Sequence, residues 1–227
     1  MENVLLSQLS LHQQPCKIKV RICRIWESTT PYSKGDIFSL DCLLVDKEEF
    51  SMQATIRKQD AEDLKCRITE GKVYVIEKFS VIPTRKKFVA VDRYYMIQLS
   101  KSTQFTEVED DSEGIPLHSF NFSTFYEINK KQHNDSILTD VVGKIAAIGE
   151  ITHRYISQSL PPIRNLEIED FERTTMPATL WDRFATDFDE ANIYEEEKST
   201  PIIIILAGMT VRTESTFIDM LSIEDIF

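Results

Sequence analysis

One order of elements occurs twice along this 227-residue chain, and it limits the possible folds more than any other feature. KIKVRICRIW (17–26) alternates aliphatic and charged residues, with Ile18, Val20 and Ile22 on one face and Lys17, Lys19 and Arg21 on the other. That period of two predicts a half-buried strand. DIFSLDCLLVD (36–46) and SMQATIR (51–57) are separated by the turn-like KEEF and predict a hairpin. KQDAEDLKCRI (58–68) places Ala61, Leu64 and Ile68 at helical spacing, and Gly71 follows as a stop. KVYVIEKFSVIP (72–83) and KKFVAVDRYYMIQL (86–99) then predict a second hairpin.

The second half repeats the series. DVVGKIAAIGEITHRY (140–155), RNLEIEDF (164–171) and MPATLW (176–181) read as three strands, DRFATDFDEA (182–191) as a short helix, and PIIIILAGM (201–209) and TFIDMLSI (216–223) as two more strands. Two copies at a spacing of about 110–120 residues indicate an internal duplication. QATIRKQDAEDL and ATLWDRFATDF take equivalent places, each a strand end feeding a helix. Five short strands with a helix between the third and fourth is the order of an OB-fold, a partly open Greek-key barrel. The expected class is mainly β, with two tandem OB-fold barrels.

Charge marks the boundary between the copies. Residues 1–108 carry 17 Lys+Arg against 14 Asp+Glu, a net of +3, whereas residues 109–227 carry 9 against 23, a net of -14. The break falls at EVEDDSEGIP, which has the composition of a solvated linker. The expected division is a mildly basic first domain over 1–106, a linker over 107–116 and an acidic second domain over 117–227. The whole-chain net charge of -11 conceals the basic half.

Several function classes find no support. With 6 glycines and no G-x-G-x-x-G or G-x-x-x-x-G-K-[ST], the chain lacks glycine-built phosphate loops. Cys16, Cys23, Cys42 and Cys66 form no C-x-x-C pair, so no metal site is expected, and free thiols suit an intracellular chain. The longest apolar run, PIIIILAGM, is far short of the roughly 20 residues that span a bilayer. MENVLLSQLSLHQQP has an acid at position 2 and no cationic leader, unlike a signal peptide. His12, His118, His133 and His153 are scattered, and no nucleophile has a partner in sequence. Glu167, Glu169, Asp170 and Glu172 could hold a divalent cation, but their strand spacing reads more simply as a solvated face. No enzyme, cofactor, membrane or small-molecule substrate is expected.

RKKFVAVDRYY (85–95) concentrates cations beside an aromatic in an acidic protein. Two readings fit: charges guarding a sheet edge, or cations for phosphates with a ring for a base. If Val89 and Val91 face the core, Phe88 faces out; if Ala178 and Leu180 face the core, Trp181 faces out. Both rings then lie on the open faces of duplicated domains. Arg85, Lys86 and Lys87 fall in the loop before the last strand, and Tyr32 and Lys34 fall in the first loop, ESTTPYSKGD (27–36). These are the loops with which OB-folds grip a strand. The matching long loop of the second domain, ITHRYISQSLPPIR (151–164), carries Arg154, Tyr155 and Arg164. The acidic runs DFDEA and YEEEK are expected to face away from any polyanion.

KIKVRICRIW, GKVYVIEKFSVIPTRKKFVAVDRYYMIQL, IPLHSFNFSTFYEI and RNLEIEDFERTTMPATLWDRFATDF together resemble the large DNA-binding subunit of replication protein A, in its plant-type branch. The resemblance spans both domains in order. It implies that Phe88 and Trp181 are base-stacking rings and that Arg164 is a backbone-contacting cation. Where animal-type members carry the first domain's other ring, this chain has Arg57, whose planar guanidinium can also stack. Near 211–216, where the second domain's other ring is expected, stand Arg212 and Thr213. The family's zinc-bearing C-terminal domain is not matched, so assembly through that domain is not expected. The implied function is single-stranded DNA binding without strong sequence preference, in replication, repair or recombination in the nucleus, with other replication protein A subunits or repair proteins as partners. The alternative is an OB-fold module that binds protein and has little DNA affinity.

Overall fold

A computed structural model describes residues 3–11, 15–29, 37–109, 114–131, 137–155, 160–191, 193, 201–212 and 217–220. The chain forms two compact units, Met1–Ser119 and Phe120–Phe227.

In the first unit a short 3-10 helix, Leu6–Gln8, precedes β1 (Lys17–Thr29), β2 (Ile37–Val45), β3 (Ser51–Arg57), α1 (Lys58–Lys65), β4 (Val73–Glu77), β5 (Ser80–Pro83), β6 (Tyr95–Leu99) and β7 (Gln104–Val108). β1, β2 and β3 form an antiparallel meander, β3 pairs in parallel with β6, β6 pairs with β5, and β1 pairs with β4. β4 and β5 are two halves of one bent segment, read in the sequence as a single strand. The bend falls at Lys78, whose φ is 59°, and the Thr103 hydroxyl donates to the Lys78 carbonyl at 3.1 Å. The sheet therefore curls back on itself, and the unit is an OB-fold barrel.

The alternation in β1 holds through Ile18, Val20 and Ile22, all buried in the core. It slips at a register shift between Ile22 and Arg24, and the residues beyond, Cys23, Arg24 and Trp26, are all buried. A bulge of this kind re-aims every later side chain of the strand. α1 closes one end of the barrel with Ala61 and Leu64, and Ile68, just past the helix, joins the same core. The β2–β3 turn is built around Asp46, whose carboxylate accepts from the Glu48, Phe50 and Leu6 backbone N–H groups at 3.0, 3.1 and 2.8 Å.

Two sequence expectations change in this unit. The strand read over 86–99 is regular only as β6; before it, Val89, Ala90 and Val91 are all buried, a pattern no single strand face produces. The residues read as a linker from 107 are in part ordered into the first unit. Glu107 and Val108 end β7, paired with Tyr74 and Val73 of β4, and the carbonyl of buried Ile115 accepts from the Arg21 guanidinium.

The second unit opens with α2 (Phe125–Lys130), whose Thr124 hydroxyl accepts from the Glu127 N–H while the Glu127 carboxylate accepts from the Thr124 N–H. This reciprocal cap satisfies backbone groups at the helix start, and Phe125 and Ile128 pack the helix against the core. β8 (Thr139–His153), β9 (Pro162–Glu169), β10 (Thr175–Trp181), α3 (Arg183–Thr186), β11 (Ile203–Arg212) and β12 (Phe217–Met220) follow. They close a barrel in the order β10, β12, β11, β8, β9, with β10 and β12 parallel. Val141, Ile145, Leu166, Ile168, Ala178, Leu180, Leu206 and Met209 fill it, and Phe184 and Ala185 of α3 close one end. β8 bends across two register shifts, and at Gly149 an added Cβ would meet the Asn165 carbonyl oxygen at 2.9 Å. Glycine here permits the close approach of β8 to β9.

Candidate nucleic-acid interface

In the first unit the core takes Leu40, Cys42 and Leu44 from β2 and Met52, Ala54 and Ile56 from β3. Side chains of the opposite parity form an outward face from four cross-strand pairs: Ser39 with Arg57, Asp41 with Thr55, Leu43 with Gln53 and Val45 with Ser51. Arg57 is exposed at the upper end, where β3 hands over to α1; with the Gln98 amide turned so that its oxygen faces the guanidinium, that oxygen accepts from Arg57 Nε and Nη2 at 2.6 and 3.1 Å. One edge of the guanidinium is thereby held while the residue stays exposed.

The segment joining β5 to β6 folds over the lower part of this face. The Ala90 N–H donates to the Gln53 side-chain oxygen at 2.9 Å, and Arg93 donates to the Ser51 carbonyl at 3.3 Å while lying over the Phe50 ring. Thr84 N–H donates to the Tyr94 carbonyl at 3.0 Å and closes the neck of the loop. Arg85 does not present a free cation, contrary to the sequence reading. Its Nη1 pairs with the fully buried Asp41 carboxylate at 2.8 Å, and its Nε and Nη2 donate to the Phe88 carbonyl at 3.1 and 2.5 Å. Lys86 and Lys87 are exposed at the tip. Phe88 is half-buried, with φ of 56°. The strand alternation on which its outward reading rested is absent here, and Arg85 holds its carbonyl. Tyr32 and Lys34 lie outside the described residues.

Two exposed rings of this unit are absent from the sequence reading: Phe38, 62% exposed at the start of β2, and Tyr94, 91% exposed just before β6. The signal for Tyr94 was available, since it shares outward parity with Gln98 on β6.

In the second unit the outward face of β9 and β10 carries the pairs Ile163 with Trp181, Asn165 with Thr179 and Glu167 with Pro177. The Thr179 hydroxyl donates to the Asn165 side-chain oxygen at 3.0 Å. Trp181 departs from expectation. It stays outside the residues that fill the barrel, yet it is only 4% exposed, so its ring is covered on both sides. Its indole Nε1 is buried without a hydrogen-bond partner among the described residues. Arg164 also departs. Its parity with Leu166 and Ile168 turns it inward, where it is 6% exposed, donates to the Ala185 carbonyl at 3.2 Å and pairs with Glu190. Its guanidinium tethers the segment around α3 to the barrel end and is not available to phosphates.

The hairpin of β8 and β9 carries exposed side chains of the long loop. Arg154 and Tyr155 follow β8, both exposed, Tyr155 at 74%, with the Arg154 N–H donating to the Pro161 carbonyl at 3.2 Å. Ile151 and Leu160 are exposed nearby in the same hairpin. Arg212 ends β11 opposite Phe217, and its side chain lies outside the described residues. The run DFDEA splits: Phe188 packs into the barrel and Glu190 holds Arg164, while YEEEK lies outside the described residues.

All four cysteines are free. Burial pushes the Cys23 thiol up to about 12, partly offset by Arg24 and Arg21, and burial likewise raises Cys42. Among the described residues no helix is long and apolar enough to cross a membrane.

The family model described as "Domain of unknown function DUF223" matches residues 7–131, more than half of the chain. A replication protein A 70 kDa DNA-binding subunit of Arabidopsis thaliana is 24% identical over 183 residues, which are 79% of this chain and 23% of that protein. Replication factor A protein 1 of Saccharomyces cerevisiae is 27% identical over 190 residues, 81% of this chain and 29% of that protein. The chain thus spans less than a third of the length of these curated relatives. A solved replication protein A heterotrimer bound to single-stranded DNA superposes with a TM-score of 0.63 at 22% identity, covering 96% of this chain and 49% of that one, which shows the same fold. The resemblance to the replication protein A large subunit seen in the sequence, including its plant members, is borne out.

Proposed function

We propose that this chain, which belongs to the family described as domain of unknown function DUF223, binds single-stranded DNA, chiefly through its first OB-fold unit. The observation that carries this reading is the exposed rim of the outward face of β2 and β3, whose members other than Thr55 and Arg57 are buried. It is topped by the exposed, edge-held Arg57 and bordered by Phe88 and the exposed Lys86 and Lys87, in a half of net charge +3. Planar groups stack on bases of any sequence and cations follow the phosphates, the two components of single-strand recognition. Phe88 and Arg57 are the stacking planes and Lys86 and Lys87 the phosphate contacts; Tyr32, Lys34 and Arg212 retain the roles that the sequence suggests. In the second unit Arg154 and Tyr155 are the contacts, and neither Arg164 nor Trp181 is one.

The curated relatives named as DNA-binding subunits of replication protein A support the reading. On it the chain is a binding protein and not an enzyme, acts in the nucleus, and meets other replication protein A subunits or repair proteins. The two units follow the same logic, the first falling mostly in the basic half and the second in the acidic one.

A second reading has its own observation. The second unit lies in the half of net charge -14, with its tryptophan covered and Arg164 engaged internally. On that reading the second unit docks protein and adds little affinity for a polyanion. Fluorescence anisotropy with labelled oligo-dT of graded length separates the two. Two DNA-binding units predict a footprint on the order of 8–20 nucleotides, since OB-folds occupy roughly 4–16 nucleotides each. Saturation at the shortest lengths, with no gain on extension, favours a protein-docking second unit. No saturable binding at low salt refutes DNA binding altogether.

A further inference from the structure

We infer that Asp41, a carboxylate that faces no solvent, is the positioning residue of the first unit's DNA site, acting through Arg85 on Phe88; this rests on the function proposed above. Asp41 projects from the outward face of β2 and is fully buried. Its Oδ2 accepts from Ser28 Oγ at 2.5 Å, Ser39 Oγ at 3.1 Å and Arg85 Nη1 at 2.8 Å. The other edge of the same guanidinium, Nε and Nη2, holds the Phe88 carbonyl. One planar group therefore joins a rigid strand to the residue where the loop reverses.

The reversal needs that support. Phe88 has φ of 56°, a backbone state that β-carbon sterics disfavour for any residue but glycine. Lys86 and Lys87 are exposed at this turn and Phe88 is half-buried. The fork of Arg85 supplies the constraint, and Asp41 sets where the fork sits. A lysine could pair with Asp41 but could not hold the Phe88 carbonyl with two parallel donors.

The segment is a floor and not a lid. Val89, Ala90 and Val91 are all buried and the Ala90 N–H is bound to Gln53, so lifting the segment would expose three apolar residues and strand a buried carboxylate. Arg85 is accordingly not a phosphate contact; it presents the groups that are.

The test is a double-mutant cycle in the full chain, with oligo-dT anisotropy across a salt series. Asp41→Asn keeps the shape and removes the charge. It is expected to weaken binding about tenfold with the salt slope of the unmodified protein, and to add less than twofold when Phe88 is already alanine. Arg85→Lys, which keeps the cation, is expected to show the same loss and the same dependence on Phe88. It also serves if Asp41→Asn lowers the thermal midpoint enough to leave unfolded protein at the assay temperature. Wild-type affinity in Arg85→Lys, or losses that multiply with Phe88→Ala, would each overturn the inference. If the unmodified protein binds and Phe88→Ala weakens it while Asp41→Asn does not, only the positioning role fails. If the unmodified protein does not bind, the proposed function fails.

Discussion

A guanidinium has five N–H donors in a rigid fork, and Arg164 directs them into the barrel end, to the Ala185 carbonyl and Glu190. Removing it should act on folding more than on binding: Arg164→Ala is expected to cost about 2 kcal/mol, since charge-assisted hydrogen bonds contribute roughly 1.5–3 kcal/mol each. The check is the denaturation midpoint, with oligo-dT affinity measured well below it unchanged. Trp181 and Tyr155 form a second contrast. The covered tryptophan predicts that Trp181→Ala destabilises by about 3–5 kcal/mol, as large aromatic truncations do. The exposed tyrosine predicts that Tyr155→Ala leaves the midpoint alone and weakens binding by about 1–3 kcal/mol, one stacked base. The reverse assignment of these two phenotypes would show that the wrong ring had been chosen. The thiols differ in the same way. With Cys23 raised to about 12 by burial and Cys42 raised as well, both stay protonated and covered at neutral pH, while Cys66 is exposed. A disulfide reagent at pH 8 should label Cys66 rapidly in the native protein, and Cys23 and Cys42 only after denaturant is added.

Elements with a single regular period were readable from the sequence, and those interrupted by a backbone irregularity were not. The inward face of β1 up to Ile22, the apolar face of α1 and the Asp46 turn lie where alternation and turn chemistry place them. Residues 86–91 imitate a strand because K-K-F-V-A-V alternates plausibly, yet the chain reverses at Phe88 in a conformation that nothing in a phenylalanine announces. Trp26 is the exception, because the break in alternation before it is visible in the sequence and points to packing, and the bulge after Ile22 shifts the phase where the ring is buried. Arg164 was legible and misread: Arg164, Leu166 and Ile168 share one parity, and the apolar members of that set fill the core. Trp181 was half legible, because parity correctly separates it from Ala178 and Leu180, but parity says nothing about what covers the outer face. The β8–β9 hairpin yields an element-scale prediction. At Gly149 a Cβ would stand 2.9 Å from the Asn165 carbonyl, so Gly149→Ala must push the strands apart at that point. The expected cost is about 1–3 kcal/mol, typical of overpacking, read as a lower denaturation midpoint. An unchanged midpoint would mean that β8 has slack there.

At the scale of the molecule, a +3 half and a -14 half share one chain and one repeated architecture. The two units share a barrel order while their outward faces differ: one carries an exposed arginine and a clamped, cation-tipped loop, the other a hydrogen-bonded Asn165–Thr179 pair beside a covered tryptophan. The first unit is therefore expected to dominate affinity. The most direct measurement is oligo-dT binding by the full chain carrying Phe88→Ala, across a salt series, beside the unmodified protein. A neutral ring that stacks on a base predicts an affinity loss of about 1–3 kcal/mol with an unaltered salt slope, because no phosphate contact is removed. Equal affinity of the two proteins, or a variant that differs only in slope, would contradict it.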